Sequence, residues 1–278
     1  MFDWIKDIID WIIGLFETVT KLDHFTTNPS EQFGYGLSND WINLSLGETA
    51  KMAEAMAVNG VPVTHFEVYS FSELGYYSNP SEAVDRLIPR VKEFKKRRIL
   101  CKLNIVNFNH KGICAPQYND TWFQYTANRI KDELGMEGIE LQGASEYGPK
   151  CRNSKCWRKA DSWCKWLAAN WSGMKGWNKG ARPRKAPAGH TNNYHSASVS
   201  NTAPRNSVVV TDHSHLLHQI GGYCCGFNVA KAMSFMRACK RAGCGCVLYH
   251  FAAGKIGATS GSKPDYEVIK AIGKFLKG

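Results

Sequence analysis

From residue 33 onward, short apolar runs alternate with longer stretches whose apolar positions recur every three or four residues. The short runs predict strands and the longer ones helices. "QFGYGLS" reads as a first strand, and "LGETAKMAEAMAVNG" as a helix closed by Gly60. "VTHFEVYSF" and "ILCKLNIVNF" are the second and third strands, separated by the helix "SEAVDRLIPRVKEFKKRR". "TWFQYTANRIKDELG" leads to a fourth strand in "MEGIELQGASE", and "KADSWCKWLAANW" is a tryptophan-rich helix. "RKAPAGHTN" is the expected fifth strand, with a short, degenerate sixth strand between Thr191 and Asn206. "SVVVTD" and "CGCVLYHF" complete the set, with "NVAKAMSFMRACKRAG" between them and "PDYEVIKAIGKFLKG" as a last helix.

Strands alternating with helices predict an α/β fold with a parallel sheet covered by helices. No strand is followed by a glycine-rich phosphate loop, which removes the usual reason for an open doubly wound sheet. The expected fold is therefore a (β/α)8 TIM barrel over residues 33–278, preceded by a linker at residues 23–32. Residues 1–22 carry a different pattern. Asp3, Asp7, Asp10, Gly14 and Glu17 form one narrow polar stripe on an otherwise apolar helix that includes Trp4 and Trp11. Acidic residues interrupt every apolar run too early for a transmembrane span. This amphipathic helix reads either as a membrane-surface anchor or self-association element, or as a plug under the barrel.

The chain of 278 residues has 35 Lys and Arg against 24 Asp and Glu, so its surface favours acidic partners. The basic run "RVKEFKKRR" lacks interleaved aromatics and reads as a solvated helix face, so no nucleic acid is expected. Of ten cysteines, Cys101 and Cys246 sit in apolar runs and are expected to be buried thiols. No cysteine spacing matches a trusted zinc pattern, and neither a metal nor a cofactor is expected. The compartment stays open among secreted, cell-surface and virion-associated.

A barrel places its site at the carboxyl ends of the strands. The residues expected there are Glu67 and Tyr69 after strand two, Asn107 and Asn109 after strand three, and Glu146 after strand four. His190 and Tyr194 follow the expected fifth strand, Asp212 and His213 the "VVVT" run, and Tyr249 the last. Aromatic faces, amides and carboxylates without phosphate loops suit a sugar. "GIELQGASEYGP", "NSVVVTDHS" and the stretch from "GCGCVLYHF" to the last helix resemble the strand-four, strand-seven and strand-eight segments of the (β/α)8 retaining glycoside hydrolase superfamily. "GYGLSNDWINLSLGETAKMAEAMAVNGVPVTHFEVYS" resembles its first strand-helix-strand unit.

The resemblance implies a glycoside hydrolase acting on a polysaccharide or cell-wall glycan. Glu146 would be the general acid/base, and Asp212 the nucleophile or the base that activates water. Glu67, Tyr69, Asn107, Asn109, His190, Tyr194, His213 and Tyr249 would bind the sugar. Asp212 stands where the superfamily carries Glu, which leaves the retaining and inverting outcomes open. The alternative is a catalytically silent glycan-binding barrel displayed on a surface or viral particle. A third class is a metal-dependent hydrolase built on His190, Asp212, His213 and His215.

Overall fold

The computed structural model describes residues 20–37, 41, 44–67, 80–105, 120–143, 154–179, 188–195, 205–211, 217–220, 223–250 and 264–278. Eight parallel strands close into a barrel. In chain order these are β1 (Phe33–Leu37), β2 (Val63–Glu67), β3 (Leu100–Asn104), β4 (Ile139–Gln142), β5 (Met174–Lys179), β6 (His190–His195) and β7 (Val208–Thr211). The eighth is β10 (Gly245–His250). β10 pairs with both β7 and β1, which shuts the ring. Between β7 and β10 lie β8 (Leu217–Ile220) and β9 (Tyr223–Phe227), a separate antiparallel pair.

Six α-helices lie among the described residues: α1 (Leu46–Asn59), α2 (Pro80–Lys95), α3 (Asp120–Leu134), α4 (Ser154–Asn170), α5 (Val229–Arg241) and α6 (Tyr266–Lys277). Local chemistry fixes their ends. The Ser45 hydroxyl accepts from the Glu48 amide while the Glu48 carboxylate accepts from the Ser45 amide, a reciprocal box that starts α1. Gly60 ends the helix at φ 72°, a conformation that carries a steric penalty for residues with a Cβ. Asp265 caps α6 by accepting from the Val268 amide.

Each barrel strand alternates its side chains between two compartments. Phe33, Tyr35, Leu37, Cys101, Leu103, Ile139, Leu141, Val209, Cys246 and Leu248 join the helices in the main apolar core. Within that core Trp163 stacks on Phe123 with ring centroids 4.9 Å apart, so this tryptophan packs the shell. Cys101 and Cys246 are buried free thiols, as expected. A second, smaller cluster of Val63, Leu100, Val208, Val210, Val247 and Tyr249 fills part of the inside.

The strand assignments need one correction. The fifth strand is Met174–Lys179, not "RKAPAGHTN", and the sixth is His190–His195. "MKGWNK" lacks the branched apolar residues that announce a strand, because its inward position Gly176 makes room for Glu140, Gln142 and Asn193. The β8–β9 pair was not anticipated either.

Residues 20–22, at the expected end of the amphipathic helix, are not helical, and the Leu22 amide donates to the Arg97 carbonyl. The rest of that helix lies outside the described residues. The expected linker packs closely under the barrel. Gln32 is fully buried, and the Phe25 ring lies where a Cβ on Gly138 would stand.

Candidate functional site

Three strands send charged or amide side chains into the barrel. The Lys102 ammonium of β3 donates to the Glu140 carboxylate of β4 at 2.7 Å and to Asn193 Oδ1 of β6 at 3.0 Å. Asn193 Nδ2 donates back to Glu140 Oε1 at 2.8 Å. β3 and β6 are not neighbours in the ring, so these groups meet across the interior. Both ends of the ion pair are 0% exposed. Burial lowers the Lys102 ammonium below the ordinary lysine value, against the opposing pull of Glu140. Gln142, two residues beyond Glu140 on β4, donates its Nε2 to Glu140 Oε1 at 3.0 Å. The carboxylate thus receives every donor that reaches it, as a buried charge requires.

Around this cluster the inside is mixed. The His65 ring of β2 lies 5.1 Å from the Tyr249 ring of β10, and both residues are buried. Asn104 ends β3 directly opposite Gln142 in register, and both are fully buried. By strand alternation Asn104 shares the inward face of Lys102. Among the described residues no group of three His, Cys, Asp or Glu side chains is placed to hold a metal ion. No described helix is long and apolar enough to cross a membrane.

The residues expected at the site divide into three groups. Glu67 is the last residue of β2, and Tyr249 stands inside the barrel near the end of β10. His190 and Tyr194 do not face the interior, because Asn193 does and neighbours on a strand point oppositely. His190 opens β6 at the amino end of the barrel, its Nδ1 3.2 Å from the Ala188 carbonyl. Tyr194 is buried, and that burial raises its phenol above the ordinary value. Their misplacement follows from the misassigned fifth strand, which put the end of a strand where β6 begins. Glu146, Asp212, Tyr69, Asn107, Asn109 and His213 lie outside the described residues, as does His215 of the metal-dependent alternative.

The sequence reading missed Lys102, Glu140 and Asn193. Their signal was present, since "LCKLN" and "IELQ" each place one charge between apolar neighbours on a strand. Such a charge needs a buried partner, and the two satisfy each other.

The closed parallel ring with its helical shell matches solved glycoside hydrolases. A glycoside hydrolase family 5 enzyme from Prevotella bryantii B14, in complex with a xyloglucan tetradecasaccharide, superposes with a TM-score of 0.56 at 10% identity, covering 91% of this chain and 99% of that one. The chain shares their fold. The catalytic domain of Thermobifida fusca endoglucanase Cel5A, in complex with cellotetraose, gives a TM-score of 0.56 at 12% identity, covering 87% of this chain and 91% of that one. A family 5 glycoside hydrolase from Bacteroides vulgatus ATCC 8482 gives 0.54 at 12% identity over 78% of this chain, which spans 58% of its length. No family model matches the sequence, and no curated protein matches it.

Proposed function

We propose that the protein is a glycoside hydrolase that cleaves a polysaccharide or cell-wall glycan with Glu146 and Asp212 as its two carboxyl groups. The observation that carries this reading is the place of the two acids in the chain, shortly after the ends of two barrel strands. Glu146 lies four residues beyond the end of β4, and Asp212 directly follows the end of β7. Active sites of such barrels gather at the carboxyl ends of the strands. The fold shared with enzymes solved with xyloglucan and cellotetraose supports a glycan as the partner.

In this reading Glu146 protonates the leaving glycosidic oxygen while Asp212 acts from the opposite face of the ring. Asp212 attacks the anomeric carbon if the carboxyls stand about 5 to 5.5 Å apart, and activates water if they stand about 6.5 to 9.5 Å apart. Of the other expected sugar ligands, Glu67 and Tyr249 stand at or near the carboxyl ends of β2 and β10, Tyr69, Asn107, Asn109 and His213 are kept in the reading from their places in the chain, and His190 and Tyr194, on the outward face of β6, are not assigned to it. The test is reducing-sugar release from a panel of polysaccharides and cell walls by the wild type, Glu146→Gln and Asp212→Asn. Cleavage by the wild type and its loss by about 10² or more in each variant supports the proposal. Binding of a glycan without cleavage replaces it with the silent, receptor-like barrel.

A further inference from the structure

The interior changes character between two successive layers of side chains. In the lower one every polar group of Lys102, Glu140 and Asn193 has a partner. One step nearer the carboxyl ends, at Asn104 and Gln142, pairing among the described residues is incomplete. Asn104 has no partner for either Oδ1 or Nδ2, and Gln142 has none for Oε1, although both side chains are fully buried. Buried amides left unpaired are costly, and a native chain retains them where something else completes their bonds.

The lower layer dictates what Gln142 offers. A carboxylate only accepts, so the Gln142 group facing Glu140 must be the NH2 end, and its carbonyl oxygen remains as a pure acceptor. Asn104, beside it in register, keeps both a donor and an acceptor. Two adjacent amides at the ends of β3 and β4 therefore present two acceptors and one donor group within one strand spacing, roughly 4.8 Å. Neighbouring hydroxyls on a sugar ring, each able to donate and accept, match that pattern.

We propose that Asn104 and Gln142 form the floor of the glycan site, Gln142 Oε1 accepting from one ring hydroxyl and Asn104 exchanging hydrogen bonds with the next. This rests on the glycan reading above. The Lys102–Glu140–Asn193 layer acts through Gln142 as a positioning element, since it holds the NH2 end and so aims the carbonyl away from Glu140.

Binding is measured by calorimetry on the full chain with cellotetraose, xylotetraose, mannotetraose and chitotetraose as probes. Wild type is compared with Asn104→Leu and Gln142→Leu, and thermal unfolding is recorded for each. Leucine has nearly the shape of asparagine and removes only unpaired groups at position 104, so Asn104→Leu is expected to be as stable as wild type or more so, whereas Gln142→Leu also strips a donor from the buried Glu140 carboxylate and is expected to unfold at a lower temperature. Each is expected to bind the preferred probe about tenfold more weakly, the size of one lost hydrogen bond. Asn104→Ser, smaller and still polar, carries the same expectation if the leucine variant does not fold. Equal binding by wild type and folded variants overturns the floor while leaving the glycan reading intact. Failure of the wild type to bind any probe overturns both.

Discussion

The two faces of the barrel strands are built from alternate residues of the same segments, yet they follow different rules. The outer face of β3 and β4 presents Cys101, Leu103, Ile139 and Leu141 to the helices, and any side chain of similar volume fits there. The inner face of the same strands presents Lys102, Asn104, Glu140 and Gln142, and the positions of Lys102, Glu140 and Gln142 are set by hydrogen bonds with fixed donors and acceptors. The outer face supplies stability through burial. The inner face accepts the cost of a desolvated ion pair, and such pairs add little net stability. It is retained where orientation of polar groups has a use.

One position apart on β3, the same replacement separates the two rules. Lys102→Met leaves the Glu140 carboxylate buried without its cation and is expected to cost about 3–5 kcal/mol in urea unfolding. Leu103→Met, which keeps the volume, is expected to cost less than about 1.5 kcal/mol. Equal costs would abolish the distinction between the faces. Removing volume from the outer shell restores a large effect: Phe123→Ala, which strips the partner of Trp163, is expected to lose about 3–5 kcal/mol.

A smaller effect appears in alkali. Burial raises the thiols of Cys101 and Cys246 well above the ordinary value of 9.0 and pushes Cys164 up to about 12. The folded chain then holds protons that the unfolded chain releases. Stability is full below pH 9 and falls as pH rises from there toward the folded values, by about 1.4 kcal/mol per pH unit for each such thiol. Cys164→Ser should make the slope of unfolding free energy against pH shallower by one proton between pH 9 and 12; an unchanged slope would remove Cys164 from the account. The smallest effect concerns neither face. Ser45→Ala, which opens the capping box of α1, is expected to cost about 1 kcal/mol.

The contrast also explains what could be read from the sequence. The outer face is a matter of apolar periodicity, and the strands with branched side chains, such as "VVVT" and "CVLYH", were located from it. β5 was not, because it has no branched apolar residue, its inward Gly176 is small and only Trp177 on its outer side joins the main core. That single miss displaced His190 and Tyr194, since the face of a strand residue depends on where the strand begins. Helix ends were legible where they rest on local chemistry, as at Gly60. The buried cluster was harder, because Lys102 and Asn193 meet through closure of the ring and no local pattern names a partner 91 residues away.

The closure of the ring has a consequence for how the chain is made. β1 pairs on one side with β2, which follows it closely, and on the other with β10, Phe33 opposite Cys246. The Cys246 amide is also received by the Gln32 carbonyl, and Gly245 sits where a Cβ would collide with the Pro29 and Gln32 carbonyls. During synthesis the ribosome must therefore deliver almost the whole barrel before the far edge of β1 finds its neighbour. Until then that edge is an open template for a second nascent chain, so the seam between β1 and β10 is where crowding on a polysome would do most harm.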